Sequence, residues 1–131
     1  MEENENKPVE AQSAGSEAAA EKELISIADF TRVELKVAQI MQAEKIETSE
    51  KLLRLQVDVG ESEKRQIIAG IAKHYSPDEL VGRKIIVVAN LKPAKLMGNL
   101  SQGMLLAASD AHGNLALLSI SDEMPAGASI R

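Results

Sequence analysis

Between Asn90 and Leu105 the chain sets two lysines (Lys92, Lys95), two glycines (Gly98, Gly103) and a Ser-Gln pair (Ser101, Gln102) between two apolar runs. Ammonium groups on a short, glycine-punctuated segment suit phosphate oxygens, and Ser and Gln add donors for phosphate or sugar oxygens. More cations fall in two other places. Lys51 and Arg54 follow Ser49-Glu50 at the start of one apolar alternation, and Lys64, Arg65 and Lys73 flank another. This set supports electrostatic binding of a polyanion. Catalysis has little to work with, since there is no Cys and only two His, His74 and His112. His112 reads as a solvated turn residue in Asp110-Ala111-His112-Gly113, and His74 as a packing or surface residue before a helix cap. The Gly98 and Gly103 spacing fits no strand-to-helix phosphate loop. Asp78-Glu79 and Asp122-Glu123 read as a helix first turn and a surface turn. No catalytic residue, metal ligand or cofactor is expected.

Nucleic acid is the polyanion to consider first, with one restriction. Reading single strands base by base relies on aromatic side chains for stacking. Phe30 and Tyr75 are the only aromatics here, and Phe30 reads as core. Recognition would therefore go through the RNA backbone and shape. Each candidate also has a plainer reading. Lys45, Lys64 and Lys84 fit solvated charges. Arg54 alternates with the core face of its strand, which fits solubility as well as binding. Ser49 fits a turn cap, Met97 and Met104 fit core gap-fillers, and Gly98 and Gly103 fit turn geometry.

The formal net charge of −5 is unevenly placed. Residues 1–30 carry eight acids against two bases, whereas residues 31–95 carry nine acids against twelve bases. The acidity thus belongs to the N-terminal segment, and the remainder has the mild positive bias that RNA binding permits. Residues 1–23 are rich in Glu, Ala, Asn and Ser and poor in large apolar side chains, so they are expected to be a disordered acidic linker. The domain is expected over 24–131. Such a linker suggests a module tethered behind a larger protein. At 131 residues with 44% apolar content there is room for one small core. No apolar run approaches the length of a bilayer span, and the first residues are not those of a signal peptide. A cytoplasmic protein without membrane contact is expected.

The elements that must position the cations are short. Ile25, Ile27 and Phe30 read as first core contacts. Val33 to Ile40 broadly alternates and predicts a strand; Leu53, Leu55, Val57 and Val59 predict a second. Gly60 to Lys64 is a turn into a third strand, Arg65 to Ala69. Ser76-Pro77-Asp78-Glu79 carries a capping box with Pro at the first helical position, and Gly82 ends that helix. Lys84 to Asn90 reads as a buried strand. Met104 to Ala108 and Leu115 to Ile120 read as strands joined by the turn Asp110 to Asn114, and an irregular segment follows. Strands with one helix between the third and fourth predict a small β-barrel.

From about Ile25 to the C-terminus, the sequence resembles the tRNA-binding OB-fold module that is appended to methionyl-tRNA synthetases and also occurs free-standing. The strings that carry the resemblance are Gln66-Ile67-Ile68-Ala69-Gly70-Ile71-Ala72-Lys73, Val87-Val88-Ala89-Asn90-Leu91-Lys92-Pro93 and Ser101-Gln102-Gly103-Met104-Leu105-Leu106-Ala107-Ala108-Ser109. The resemblance implies an all-β OB-fold: a five-stranded Greek-key barrel with one short helix between strands 3 and 4 and a C-terminal β extension. It implies binding to the outside corner of the L-shaped tRNA, in aid of a synthetase catalytic domain in cis, with no catalysis by this chain. Lys51, Ser101 and Met104 fall on the positions implicated in tRNA contact. Arg54, Lys73, Lys92, Lys95 and Gln102 complete the expected surface. Homodimerisation through the barrel and roughly residues 115–131 is also implied. Alternatives are a free-standing tRNA-binding protein or a chaperone-like dimeric OB-fold relative; in the latter the Lys-Pro and Ser-Gln-Gly-Met elements are replaced. Ala94 departs from the family, where many members have a basic residue, which puts a contact at that position in doubt. Asn99-Leu100 is a milder departure with no expected consequence.

Overall fold

The computed structural model describes residues 23–131. The expected linker over 1–23 therefore lies outside the described residues, save Glu23. The chain forms two compact units that divide between Phe30 and Thr31. Of the first, the described part ends in a single helical turn, α1 (Ile27–Phe30). The Ser26 side chain caps it by accepting from the Asp29 N–H at 3.0 Å, and the Ser26 carbonyl accepts from the Phe30 N–H. This turn buries no residue, so Ile25, Ile27 and Phe30 are not the first core contacts expected of them. A four-residue turn is too short to fold an apolar face over a core. The buried apolar residues begin instead at Val37, within the first strand.

The second unit is built on β1 (Leu35–Lys45), β2 (Leu53–Asp58) and β3 (Arg65–Ala69), an antiparallel meander. The strict alternation in β2 buries Leu53, Leu55 and Val57 and leaves Arg54, Gln56 and Asp58 half-exposed. Register is thereby fixed, since a slip of one residue would turn every apolar side chain outward. β1 is long enough to serve both halves of the sheet. A bulge between Ile40 and Gln42 bends it. Its first half pairs with β4 (Lys84–Val88) and its second with β2.

Helix α2 (Pro77–Leu80) links β3 to β4. The Glu79 carboxylate accepts from the Ser76 N–H and hydroxyl, Pro77 occupies the first turn, and Leu80 is fully buried. Gly82 then reverses the chain at φ +93° and donates its N–H to the Ile40 carbonyl at 2.7 Å. After β4 come β5 (Ala94–Leu96) and β6 (Asn99–Ser101), which form a hairpin of their own, and then β7 (Met104–Leu105), which pairs with β4. β8 (Ala107–Ser109) and β9 (Leu115–Leu117) form a second hairpin, and β10 (Ser129–Ile130) pairs with the start of β1.

The strand order β3-β2-β1-β4-β7 brings its two ends together, so the sheet is a nearly closed barrel. This is the expected OB-fold, with its helix between the third and fourth strands and a C-terminal β extension. Ile40, Leu53, Leu55, Ile67, Leu80 and Ile85 are the largest side chains of its core, each stabilising by about 1.5–3 kcal/mol. β4 lacks alternation because both its faces are covered: Ile85 and Val87 point into the core, and Ile86 and Val88 are buried on the other side. Sequence periodicity did not find the β5–β6 hairpin or β10, since elements of two or three residues hold too few positions to show a period.

Two glycines fasten the C-terminal segment. Gly60 and Gly127 both have positive φ and cross so closely that a Cβ on Gly127 would lie 2.9 Å from the Gly60 Cα and the Val59 carbonyl. Gly82 has similar φ but open space around it. Gly127→Ala is therefore expected to lower stability by about 2–3 kcal/mol, against about 1 kcal/mol for Gly82→Ala. Urea unfolding followed by circular dichroism separates the two; equal losses would show that the crossing adds nothing to the conformational strain.

Candidate nucleic-acid interface

The meeting of the barrel's two ends is made largely by side chains. Ser101 is buried at 5% exposure. Its hydroxyl accepts from the Ile68 N–H at 3.0 Å and donates to the Gly103 carbonyl at 2.9 Å. Gln102 donates its N–H to the Gln66 carbonyl at 2.7 Å, and its Oε1 accepts from the Gln66 N–H at 2.9 Å. Gln66 returns Nε2 to the Leu100 carbonyl and accepts from Gln56 Nε2. Gly103 has φ +141°, and a Cβ there would lie 3.0 Å from the Val88 carbonyl. Side-chain groups thus stand in for a regular ladder along β3. Both hydrogen-bonding functions of Ser101 are committed inside the fold, whereas Gln102 Nε2 has no partner among the described residues.

A second network holds the β5–β6 hairpin. Arg54, on the outer face of β2, donates Nη1 to Glu44 Oε2 at 2.5 Å and Nη2 to Asn99 Oδ1 at 2.7 Å. Asn99 Nδ2 in turn donates to the Met97 carbonyl at 3.0 Å. The turn itself is Met97-Gly98, both at positive φ (+50° and +81°), the two-residue geometry that matches strand twist. Met97 is the only non-glycine with positive φ among the described residues, a conformation that costs about 1–2 kcal/mol. Asn99, from which the sequence promised nothing, is the link between Arg54 and this turn. Arg65 is likewise engaged. It grips Glu61 through two hydrogen bonds (3.0 and 2.8 Å) and donates to the carbonyls of Ala89 and Gln102. That grip holds the Glu61 carboxyl below its usual range, so the pair is intact at neutral pH and weakens as acid protonates Glu61.

The lysines are different. Lys51, Lys73, Lys92 and Lys95 are exposed and make no ion pair or side-chain hydrogen bond among the described residues. The Ala72 N–H donates to the Lys51 carbonyl at 3.0 Å, which holds the loops of Lys51 and Lys73 at one end of the barrel. Ser49 Oγ accepts from the N–H groups of Lys51 and Leu52, so it is the turn cap of the plainer reading. Lys95 lies opposite Leu100 in the hairpin. Lys92 follows Leu91, which with Glu61, Glu63, Arg65, Pro93 and Gln102 lines an open cleft of about 350 Å³. The structure therefore joins the loops of Lys51 and Lys73 and places Lys95 on the hairpin that Arg54 secures, with Lys92 two residues before that hairpin. Met104 is 48% exposed and Met97 59%, so neither is a core plug.

Between Glu79 and Asp110 there is no acidic residue, while Arg83, Lys84, Lys92 and Lys95 fall in that interval. The nearby Glu44 and Glu61 are neutralised by arginines. The result is a surface with unpaired lysine charges that suit anions. Among the described residues no group of His, Asp or Glu could hold a metal ion, and no helix is long and apolar enough to cross a membrane. Ser101→Ala would leave the buried Ile68 N–H unpaired and is expected to lower stability by about 1–3 kcal/mol, whereas Lys95→Ala should stay within about 0.5 kcal/mol. Thermal or urea unfolding of both variants checks this; a silent Ser101→Ala would show that the hydroxyl is not needed for closure.

Comparison with known proteins agrees with this geometry. The family described as "Putative tRNA binding domain" matches residues 35–129. A methionine–tRNA ligase of Thermotoga maritima is 56% identical over 112 residues, which is 86% of this chain and 18% of that protein. The chain thus spans under a fifth of that relative's length. Among solved structures, a MetRS-related protein from Pyrococcus horikoshii has a TM-score of 0.79 and 42% identity, over 84% of this chain and all of that one. The chaperone CsaA of Bacillus anthracis has a TM-score of 0.75 and 29% identity, over 83% of this chain and all of that one.

Proposed function

The chain belongs to the tRNA-binding domain family, a non-catalytic module, and we propose that it grips the outside corner of folded tRNA through the exposed lysines Lys51, Lys73, Lys92 and Lys95. The observation that carries this reading is the contrast between engaged arginines and free lysines on a surface without acids from Leu80 to Ser109. In it Lys51, Lys73, Lys92 and Lys95 pair with phosphates. Arg54 and Ser101 take part by fixing the shape of the surface. Gln102 offers its Nε2 to a phosphate or ribose oxygen, and Met104 an adaptable apolar contact.

The wider arrangement follows from the same reading. Residues 1–23 act as an acidic linker and 24–131 as the binding domain, tethered in cis to a cytoplasmic methionyl-tRNA synthetase. A weak second site on a tether raises the local tRNA concentration at the catalytic domain. A homodimer through the C-terminal segment, where Leu118 and Met124 are exposed, joins two such sites in one particle. The likeness to a chaperone supports a second reading, peptide binding, but identity is about half that to the synthetase.

Fluorescence anisotropy with a tRNA transcript and a single-stranded RNA of equal length, at two salt concentrations, tests the main reading. The tRNA is expected to bind more tightly, with a log–log salt slope of about −3 to −4, and Lys51→Ala to make it shallower by about one. Equal affinity for both RNAs would mean a generic basic groove, and no binding to either would shift the weight to peptides. Light scattering at micromolar concentration is expected to give a dimer; a monomer would sink that part.

A further inference from the structure

Phosphate binding leaves one feature of this surface unused. The β5–β6 hairpin ends in an apolar tip: Met97 is 59% exposed, with Leu96 (42%) and Leu100 (40%) beside it. We propose that this tip seats against an exposed nucleobase face of the folded RNA, which rests on the tRNA-binding reading and makes Met97 a specificity-determining residue within it.

Three observations point to a base. The first is conformation. Met97 stands at φ +50°, where glycine or asparagine would sit without strain. Glu44, Arg54 and Asn99 lock that turn from below. Strain kept in a locked, exposed turn marks a side chain that is being presented. The second is charge. Lys92 and Lys95 are the only charged residues from Ile85 to Ser109. An apolar tip in a cationic setting fits a polyanion with flat apolar faces. A second copy meeting it tip to tip would bring like charges together. The third is the lack of a free stacking ring on the second unit, Thr31–Arg131, whose one aromatic is Tyr75. Tyr75 is half-buried, with its hydroxyl accepting from the Leu117 N–H and its ring facing Arg83 at 5.2 Å. A polarizable thioether and two leucines are what remains to cover a base. Such faces are open where an RNA fold interrupts its stacking, at loops and corners, and closed within a duplex.

Met97→Gly in the full chain is the test, because glycine tolerates the turn and should leave the melting temperature equal or higher. Affinity for a tRNA transcript is expected to fall by at least about fivefold, with an unchanged salt slope and unchanged affinity for a plain RNA duplex. Met97→Asn, which also tolerates positive φ, should behave alike. Lys95→Ala should instead weaken both RNAs and make the slope shallower. Wild-type affinity of Met97→Gly for tRNA would overturn the inference while leaving the tRNA reading intact. Failure of the unaltered chain to bind tRNA would remove the reading beneath it. A dimer lost on light scattering with RNA affinity retained would assign the tip to a second copy and overturn the inference equally.

Discussion

The buried hydroxyl of Ser101 is the point on which the rest of the surface depends. A five-stranded barrel must join its first and last strands, and here the joining stretch from Leu100 to Gly103 does not run as a regular partner of β3. Ser101 supplies an acceptor for Ile68 and a donor for Gly103, and Gln102 pairs with both backbone groups of Gln66. Without these groups the β3 edge would keep buried N–H groups with nothing to accept from them, which costs more than the bonds themselves contribute. Gly103 completes the closure, because a Cβ there would press on the Val88 carbonyl.

Closure also decides which cations are available. Arg65 reaches across the seam to the carbonyls of Ala89 and Gln102, and Arg54 reaches from β2 to the hairpin that the seam brings alongside. A planar guanidinium with several fixed donors suits such structural bridging. Lysines, with one compact, strongly hydrated charge on a flexible stem, remain in solvent at Lys51, Lys73, Lys92 and Lys95. The division of labour helps a chain with net charge −5 present lysine charges near the hairpin: residues 80–109 hold no acid, and the neighbouring Glu44 and Glu61 are held by arginines.

Much of this was legible in the sequence, and the remainder fails for identifiable reasons. β2 stands where alternation placed it, because it has one buried face and one half-exposed face, and β3 stands where the turn before it placed it. α2 stands where its capping box placed it. The lysines were visible as a pattern. What alternation could not show was any element of only two or three residues, too few to repeat a period, which is how the β5–β6 hairpin was missed. Ile25, Ile27 and Phe30 looked like core because they are apolar, yet a lone turn gives them nothing to bury as a face. Ser101 and Arg54 were singled out for their chemistry, but residue type does not tell a group that touches a ligand from one that holds the ligand's surface in place. That difference lies in long-range partners, Ile68 and Asn99, which no local pattern encodes. Asn99 is the clearest case: its importance comes from one hydrogen bond to a residue 45 positions away.

On this reading the surface is fully formed before RNA arrives, and RNA meets it at the lysine loops and the hairpin. Amide hydrogen exchange of the full chain, alone and with a tRNA transcript, addresses both halves at once. The amides of Gln66, Ile68 and Gln102 are expected to exchange slowly in the free chain and not to change on binding, while amides around Lys51, Lys73 and residues 92–100 gain protection. Fast exchange at Ile68 and Gln102 that slows only with tRNA would contradict a preformed seam, and protection confined to residues 115–131 would place the RNA on the wrong face.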